Sequence, residues 1–298
     1  MKVLLTGATG FVGPVLVRRL LDAGHSCTVL SRNPAPAREK LPTAVRVLGY
    51  DDLWPTADAV VNMAGETVAG LWTAKKRQRI MRSRVEVTRR LVQWMKELSS
   101  PPRVLVSMSA VGIYGHRPGE TLTETSAPDP EGKFRARVTL AWEAEALVAE
   151  AQGVRVALVR LANVLHPDGG YLGRLIDVYR FLPVVVGLGH GDHYFPWISR
   201  RDATRFMCFV LERQEAAGPL NAASPQPVAR KRFSALLARA LGKPTAGRLP
   251  DWLLKLTLGE FSSTIVDSQY VLPARARELG FRFEDETLEE YLGDWISG

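Results

Sequence analysis

At 298 residues the chain suits one large domain or one domain with a modest appendage, and 46% hydrophobic with 23% charged residues is an ordinary globular balance. Cys27 and Cys208 are the only cysteines, which excludes a disulfide framework and a cysteine zinc site, and no apolar run reaches the roughly 18 residues of a membrane span. The net charge of +8 attracts anions, whether nucleotide phosphates, nucleic acid or acidic membrane surfaces. The N-terminus turns glycine-rich too soon for a signal peptide, so the expected location is cytoplasmic.

Residues 2–6 read as a short buried strand running into glycines. Residues 11–23 read as a helix with Val15, Leu16, Leu20 and Leu21 on one face, stopped by Gly24. Strands are expected at 25–31, 45–49 and 59–63. A basic amphipathic helix follows over 74–98, carrying Lys75, Lys76, Arg77, Arg79, Arg82, Arg84, Arg89 and Arg90. A strand at 103–109, a helix at 140–151 and a strand at 154–161 complete the alternation. Further on, 202–214, 233–241 and 288–296 read as helical and 220–223 as a short last strand. Strands alternating with helices predict an α/β fold with a doubly wound parallel sheet of the Rossmann type. The expected division is a nucleotide-binding domain over 1–165, rejoined by 200–224, and a smaller substrate-covering lobe from 166–199 and 225–298.

The strongest motif is Gly7-Ala8-Thr9-Gly10-Phe11-Val12-Gly13, set between the first strand and first helix. Gly7 permits a sharp turn, Gly10 leaves room for a pyrophosphate, and Gly13 permits close helix packing. The helix N-terminus then offers free N–H groups to the phosphates. Gly7, Thr9, Gly10, Phe11, Val12 and Gly13 are therefore cofactor-binding candidates. An NAD-selective site carries a carboxylate about 20 residues beyond such a loop. Here the second strand ends Leu30-Ser31-Arg32-Asn33, with no acid. Arg32 can pair with a 2′-phosphate and Ser31 can bond it, so the expected cofactor is NADP(H).

With the loop, two segments resemble the extended short-chain dehydrogenase/reductases: Asn62-Met63-Ala64-Gly65-Glu66 and Ser107-Met108-Ser109-Ala110-Val111-Gly112-Ile113-Tyr114-Gly115. Ser83-Arg84-Val85-Glu86-Val87-Thr88, Ala141-Trp142-Glu143-Ala144-Glu145, Phe195-Pro196-Trp197-Ile198, Gly218 to Pro225 and Leu279-Gly280-Phe281-Arg282-Phe283 resemble an atypical branch of the NAD-dependent epimerase/dehydratase-like proteins, sometimes labelled cell-division inhibitor homologues. The resemblance implies that Ala64 and Gly65, with Glu66, Arg84 and Ser107 nearby, lie along the cofactor. It places Leu161, Ala162, Asn163 and Val164 at the nicotinamide end and Thr88 behind the cofactor. A homodimer through the basic helix is the assembly it suggests.

Members of that superfamily use Tyr-x-x-x-Lys for proton transfer. None of the seven tyrosines here has a lysine four residues on. Ser109 matches the serine that steadies the substrate oxygen, and Tyr114 is a candidate replacement acid, though packing and substrate-side contact are the more usual roles in this loop. Glu143 could transfer a proton if buried near the nicotinamide, but the more ordinary reading is an i,i+4 helix-surface role, and Lys133 reads as a solvent-facing lysine outside the required spacing. Trp72, Tyr194 and Trp197 are candidates either to stack on a substrate or to fill the space between lobes. Arg200 and Asp202 resemble residues that anchor the loop before them to the sheet, for which an ion pair between them is one way. His190 and His193 flank Asp192 without further ligands, so no metal is expected.

These residues imply an NADP(H)-binding oxidoreductase or epimerase-like protein acting on a small polar substrate. The absent Tyr–Lys pair leaves open a non-catalytic NADP(H) sensor or regulator. A nucleic-acid or membrane-surface role for the basic helix lacks any accompanying motif, and neither partner is expected.

Overall fold

The computed structural model describes residues 1–297. In chain order the first half comprises β1 (Lys2–Thr6), α1 (Gly13–Asp22), β2 (Ser26–Leu30), α2 (Pro34–Lys40), β3 (Arg46–Leu48), β4 (Ala59–Asn62), α3 (Ala74–Glu97), β5 (Val104–Ala110), β6 (Arg117–Leu122), α4 (Phe134–Leu147) and β7 (Arg155–Leu161). The second half begins with β8 (Asn163–His166), α5 (Gly170–Arg180), β9 (Val185–Leu188), β10 (Tyr194–Phe195), β11 (Trp197–Ser199), α6 (Arg200–Glu212) and β12 (Gly218–Ala222). It ends with β13 (Val228–Ala229), α7 (Arg230–Ala240), β14 (Thr245–Leu249), α8 (Asp251–Leu258), α9 (Ser263–Val266), β15 (Gln269–Val271), α10 (Ala274–Glu278) and α11 (Leu288–Ser297).

Seven parallel strands form one sheet in the order β12-β7-β5-β4-β1-β2-β3. The chain winds outward from β1 to β3, then returns to start β4 on the other side of β1. Open α/β sheets bind ligands at such a reversal, outside the carboxyl ends of the strands. Successive residues of a strand face opposite ways, so each strand feeds two cores. Val3 and Leu5 pack with α1 and α6 on one face, while Leu4 packs with Leu91, Val92 and Met95 of α3 on the other. Each fully buried side chain of this kind contributes about 1.5–3 kcal/mol.

The elements at β8–β11, α5, α7 and α11 form a separate core around Leu172, Phe195, Trp197 and Phe233. Two short ladders, β14 on β9 and β15 on β6, hold the last third of the chain against the rest. Trp197 is fully buried there, its indole N–H donating to the Gln226 carbonyl 3.1 Å away. It fills the lobe and is not available to stack on a substrate.

Three local expectations need correction. The first helix starts at Gly13, not at residue 11, because Gly10 to Val12 are taken up by the loop. The helix expected from 140 starts at Phe134, which brings Thr139 and Glu143 onto one regular helix. Arg200 does not pair with Asp202: it reaches His166 and Asp168, while Asp202 is held by Arg205 and the backbone N–H groups of Glu284 and Asp285.

The basic face of α3 is largely neutralised within the chain. Lys76 pairs with Glu66, Arg77 with Glu260, Arg82 with Glu86, Arg89 with Glu145 and Arg90 with Asp51. Charge spent this way leaves little of a continuous basic stripe for a polyanion. Among the described residues no helix is long and apolar enough to cross a membrane.

Candidate active site

A cleft of about 1250 Å³ runs across the carboxyl ends of β1, β2, β4, β5 and β7 and under the C-terminal elements. Its near wall is the glycine loop. Gly7 has φ +69°, and a Cβ there would lie 2.4 Å from the Met63 carbonyl oxygen. A Cβ on Gly13 would lie 2.2 Å from the Ala8 carbonyl oxygen, so the loop closes on the first turn of α1 as tightly as on the sheet. Gly10 is different. A Cβ there would meet only the Gly7 carbonyl oxygen at 3.3 Å, which leaves its other side open to the cleft. The first turn of α1 has no side-chain cap, so its N–H groups stay free for an anion.

Thr9, Phe11 and Val12 line the cleft beside the glycines. Phe11 also supports the far side, with the Arg200 guanidinium 5.1 Å from its ring centroid. At the tip of β2, Ser31 and Arg32 both line the cleft. The Ser31 hydroxyl is engaged with Asn33 at 3.1–3.2 Å, which fixes the turn. Arg32 is exposed and forms no hydrogen bond or ion pair among the described residues.

Ala64 and Gly65 follow β4 directly along the cleft. Their position is set by a buried polar zipper. Thr6 donates to Asn62 (2.7 Å), Asn62 donates to Thr88 (2.7 Å), and Trp142 donates to the same hydroxyl (3.0 Å). These bonds tie β1, β4, α3 and α4 at one point, where Thr88 is buried and does not line the cleft. Arg84 donates to the Glu66 carbonyl at 3.1 Å and lies 5.2 Å from the Trp142 ring centroid, and burial pushes its guanidinium down to about 10. The Glu66 carboxylate is held by Lys76 at 2.7 Å, whose hydrogen bond lowers its pKa. Ser107 is fully buried beneath the cleft and does not line it; its hydroxyl has no hydrogen-bond partner.

Leu161, Ala162, Asn163 and Val164 line the opposite end. The Asn163 amide donates to the Pro196 carbonyl at 2.9 Å, stapling the start of β8 to the link between β10 and β11.

A buried polar network reaches the cleft at Ser109. It is 3% exposed, lines the cleft, and donates its hydroxyl hydrogen to Glu143. Glu143 is 7% exposed and lies inside the molecule, not on the helix surface. A bidentate Arg160 holds both its oxygens at 2.9 Å. Arg160 sits opposite Ser109 in the β5–β7 register, and Asn221 opposite Arg160 in the β7–β12 register. Ser109, Arg160 and Asn221 thus form a polar row across three adjacent strands, roofed by Glu143 from α4. Arg160 also donates to the Tyr114 hydroxyl (3.0 Å), which donates to Asn221 (2.7 Å).

Tyr114 does not line the cleft. Its ring is fully buried, its hydroxyl is bonded on both sides, and burial raises its pKa. A phenol in that setting supports the network and is poorly placed to hand a proton to a ligand. Lys133 pairs with Glu131 at 2.9 Å near solvent. From α4 the cleft receives Phe134, Arg135, Val138, Thr139 and Trp142, with no tyrosine or lysine among them. Among the described residues no group of three His, Cys, Asp or Glu side chains is gathered for a metal.

Residues 3–223 match the NAD dependent epimerase/dehydratase family, and residues 249–295 match a domain of unknown function, DUF1731. The chain is 34% identical over 301 residues to epimerase family protein YfhF of Bacillus subtilis, covering 100% of this chain and 98% of that protein. It is 35% identical over 304 residues to a chloroplastic SDR39U1 homolog of Arabidopsis thaliana, covering 98% and 86% of the two chains. The structure of human epimerase family protein SDR39U1 (isoform 2) with NADPH superposes with a TM-score of 0.90 at 26% identity, covering 100% of both chains. The chain therefore belongs to the NAD dependent epimerase/dehydratase family, as an atypical extended short-chain dehydrogenase/reductase without the Tyr-x-x-x-Lys pair.

Proposed function

We propose that the protein is an NADP(H)-dependent oxidoreductase or epimerase-like enzyme acting on a small polar substrate. The observation that carries the reading is the pairing of two features along one cleft. One is a glycine loop that tolerates no side chain at Gly7 or Gly13; the other is an unpaired Arg32 where NAD-selective sites keep a carboxylate. The similarity to a human protein crystallised with NADPH supports it.

In this reading the amides around Gly10 to Gly13 take the diphosphate, and Arg32 with Ser31 takes the 2′-phosphate. Ala64 and Gly65 border the ribose, and Leu161 to Val164 border the nicotinamide. NADP(H), when bound, supplies or accepts a hydride. The protein's own part is to place a substrate oxygen against Ser109. That serine donates its hydrogen to Glu143, so its lone pairs remain to accept from a substrate hydroxyl. A proton leaving that hydroxyl passes to the Ser109 oxygen while the serine hydrogen moves to Glu143; carbonyl reduction is the reverse. Arg160 fixes Glu143 in place and offsets its charge.

The missing Tyr–Lys pair favours a second reading, a non-catalytic NADP(H) sensor. One experiment separates them. Purified protein is offered NADPH with a panel of aldehydes, ketones and quinones, alongside Ser109→Ala. The enzyme reading expects NADPH oxidation that the variant loses. Tight NADPH binding with no turnover on any compound favours the sensor.

A further inference from the structure

Among the described residues two arginines are almost wholly buried, Arg160 and Arg230. Arg160 has its carboxylate. Arg230, 3% exposed, forms no ion pair among the described residues. It opens α7 and lines the cleft on the side built by the C-terminal elements. Its two terminal nitrogens donate to the Tyr171 hydroxyl and, at 3.2 Å, to the Thr264 carbonyl. Its Nε has no hydrogen-bond partner, and the guanidinium lies 4.2 Å from the Phe195 ring centroid. Neutral oxygens and an aromatic face offset only part of the cost of burying a cation, and an unmade bond at Nε adds to it. An anion entering the cleft beside it would offset that cost. Arg174 lies one helical turn beyond Tyr171 on α5, also lines the cleft, is exposed, and forms no hydrogen bond or ion pair among the described residues.

We propose that Arg230, with Arg174 and the Tyr171 hydroxyl, forms a substrate subsite for an anionic group, a carboxylate or a phosphate, in the part of the cleft not needed by the dinucleotide. This rests on the NADP(H) reading, because it assigns the remaining part of that cleft to the substrate. The rigid fork of a guanidinium matches a pair of anionic oxygens, and the aromatic walls lower the local dielectric and strengthen the contact. The substrate is then a small acid or phosphate ester with a reacting hydroxyl or carbonyl held at Ser109.

The test uses wild-type protein saturated with NADPH, which occupies the Arg32 subsite. Inorganic phosphate and malonate are titrated separately at constant ionic strength, read by calorimetry and by thermal unfolding. Saturable binding of one of them is expected, and which one binds identifies the phosphate or the carboxylate source. Arg230→Gln should weaken that binding about tenfold or more, as loss of a charged hydrogen bond does, with NADPH affinity near the wild-type value. Arg230→Lys should recover part of it, and Arg174→Gln should weaken it by a smaller factor. If Arg230→Gln does not fold, Arg174→Gln, at an exposed position, carries the comparison. Equal anion affinity in wild type and variants, or no anion binding to NADPH-loaded wild type, overturns the assignment. Failure of wild type to bind NADPH refutes the cofactor reading instead. The same titration of cofactor-free wild type and Arg230→Gln then decides the subsite alone.

Discussion

Arg160→Met tests whether the buried row under the cleft is held by one ion pair. The native guanidinium makes two 2.9 Å bonds to Glu143, one of 3.0 Å to Tyr114 and one of 3.3 Å to the Glu124 carbonyl. Methionine replaces the volume and removes all four. Glu143, 7% exposed, is left with Ser109 alone. Breaking one side of a buried pair costs about 3–5 kcal/mol, because the stranded charge keeps its desolvation cost. In a chain of this size that lowers Tm by on the order of 10 °C. Arg160→Met/Glu143→Leu removes both charges, and an apolar replacement of a whole pair is often neutral or stabilising. The double variant should therefore recover more than half of the single variant's loss. Urea unfolding at pH 7, followed by tryptophan fluorescence and circular dichroism together, measures both and checks that the transition is two-state. A single variant within about 1 kcal/mol of wild type, below the range for a broken buried pair, would refute the reasoning. So would a double variant less stable than the single one.

Arg32→Ala should weaken NADPH roughly ten- to hundredfold, the worth of charged hydrogen bonds to phosphate, and leave NADH nearly unchanged in fluorescence titrations. Gly7→Ala and Gly13→Ala, whose Cβ atoms would sit 2.4 and 2.2 Å from carbonyl oxygens, should abolish NADPH binding. Gly24→Ala, at φ +78° with no atom within 4 Å, should cost only about 1–2 kcal/mol of backbone strain and bind normally. Burial raises the Glu124 pKa above its ordinary value of 4.5, with one carboxylate oxygen unpartnered. A carboxyl raised in the folded state contributes stability fully present below the unfolded pKa and lost as pH rises through the folded one. Stability should thus fall from near pH 4.5 up to the raised value, and Glu124→Gln should flatten that part of the urea-midpoint profile.

The parallel sheet was legible because its strands are buried on both faces and read as short apolar runs between helical repeats. The glycine loop was legible because backbone geometry alone dictates glycine at Gly7 and Gly13. Glu143 was misread as a surface residue, since helical spacing cannot show which face packs when the apolar residues surround the helix. The strand run Arg155-Val156-Ala157-Leu158-Val159-Arg160-Leu161 did hold the signal. A charge near the end of a central strand must find a partner, and the nearest helix offers Glu143. Tyr114 was plausible as an acid because its loop borders the cleft; only the packing shows its hydroxyl turned inward to Asn221. Arg230 gave no local hint at all. Its isolation from every carboxylate depends on residues 59 positions before it and 34 after it.

The most direct test of the central claim is a crystal structure of the protein grown with NADPH. The account predicts the diphosphate on the backbone amides of Gly10 to Gly13, the 2′-phosphate against Arg32 and the nicotinamide beside Ser109. A dinucleotide bound elsewhere, or a loop left empty at saturating NADPH, would contradict it.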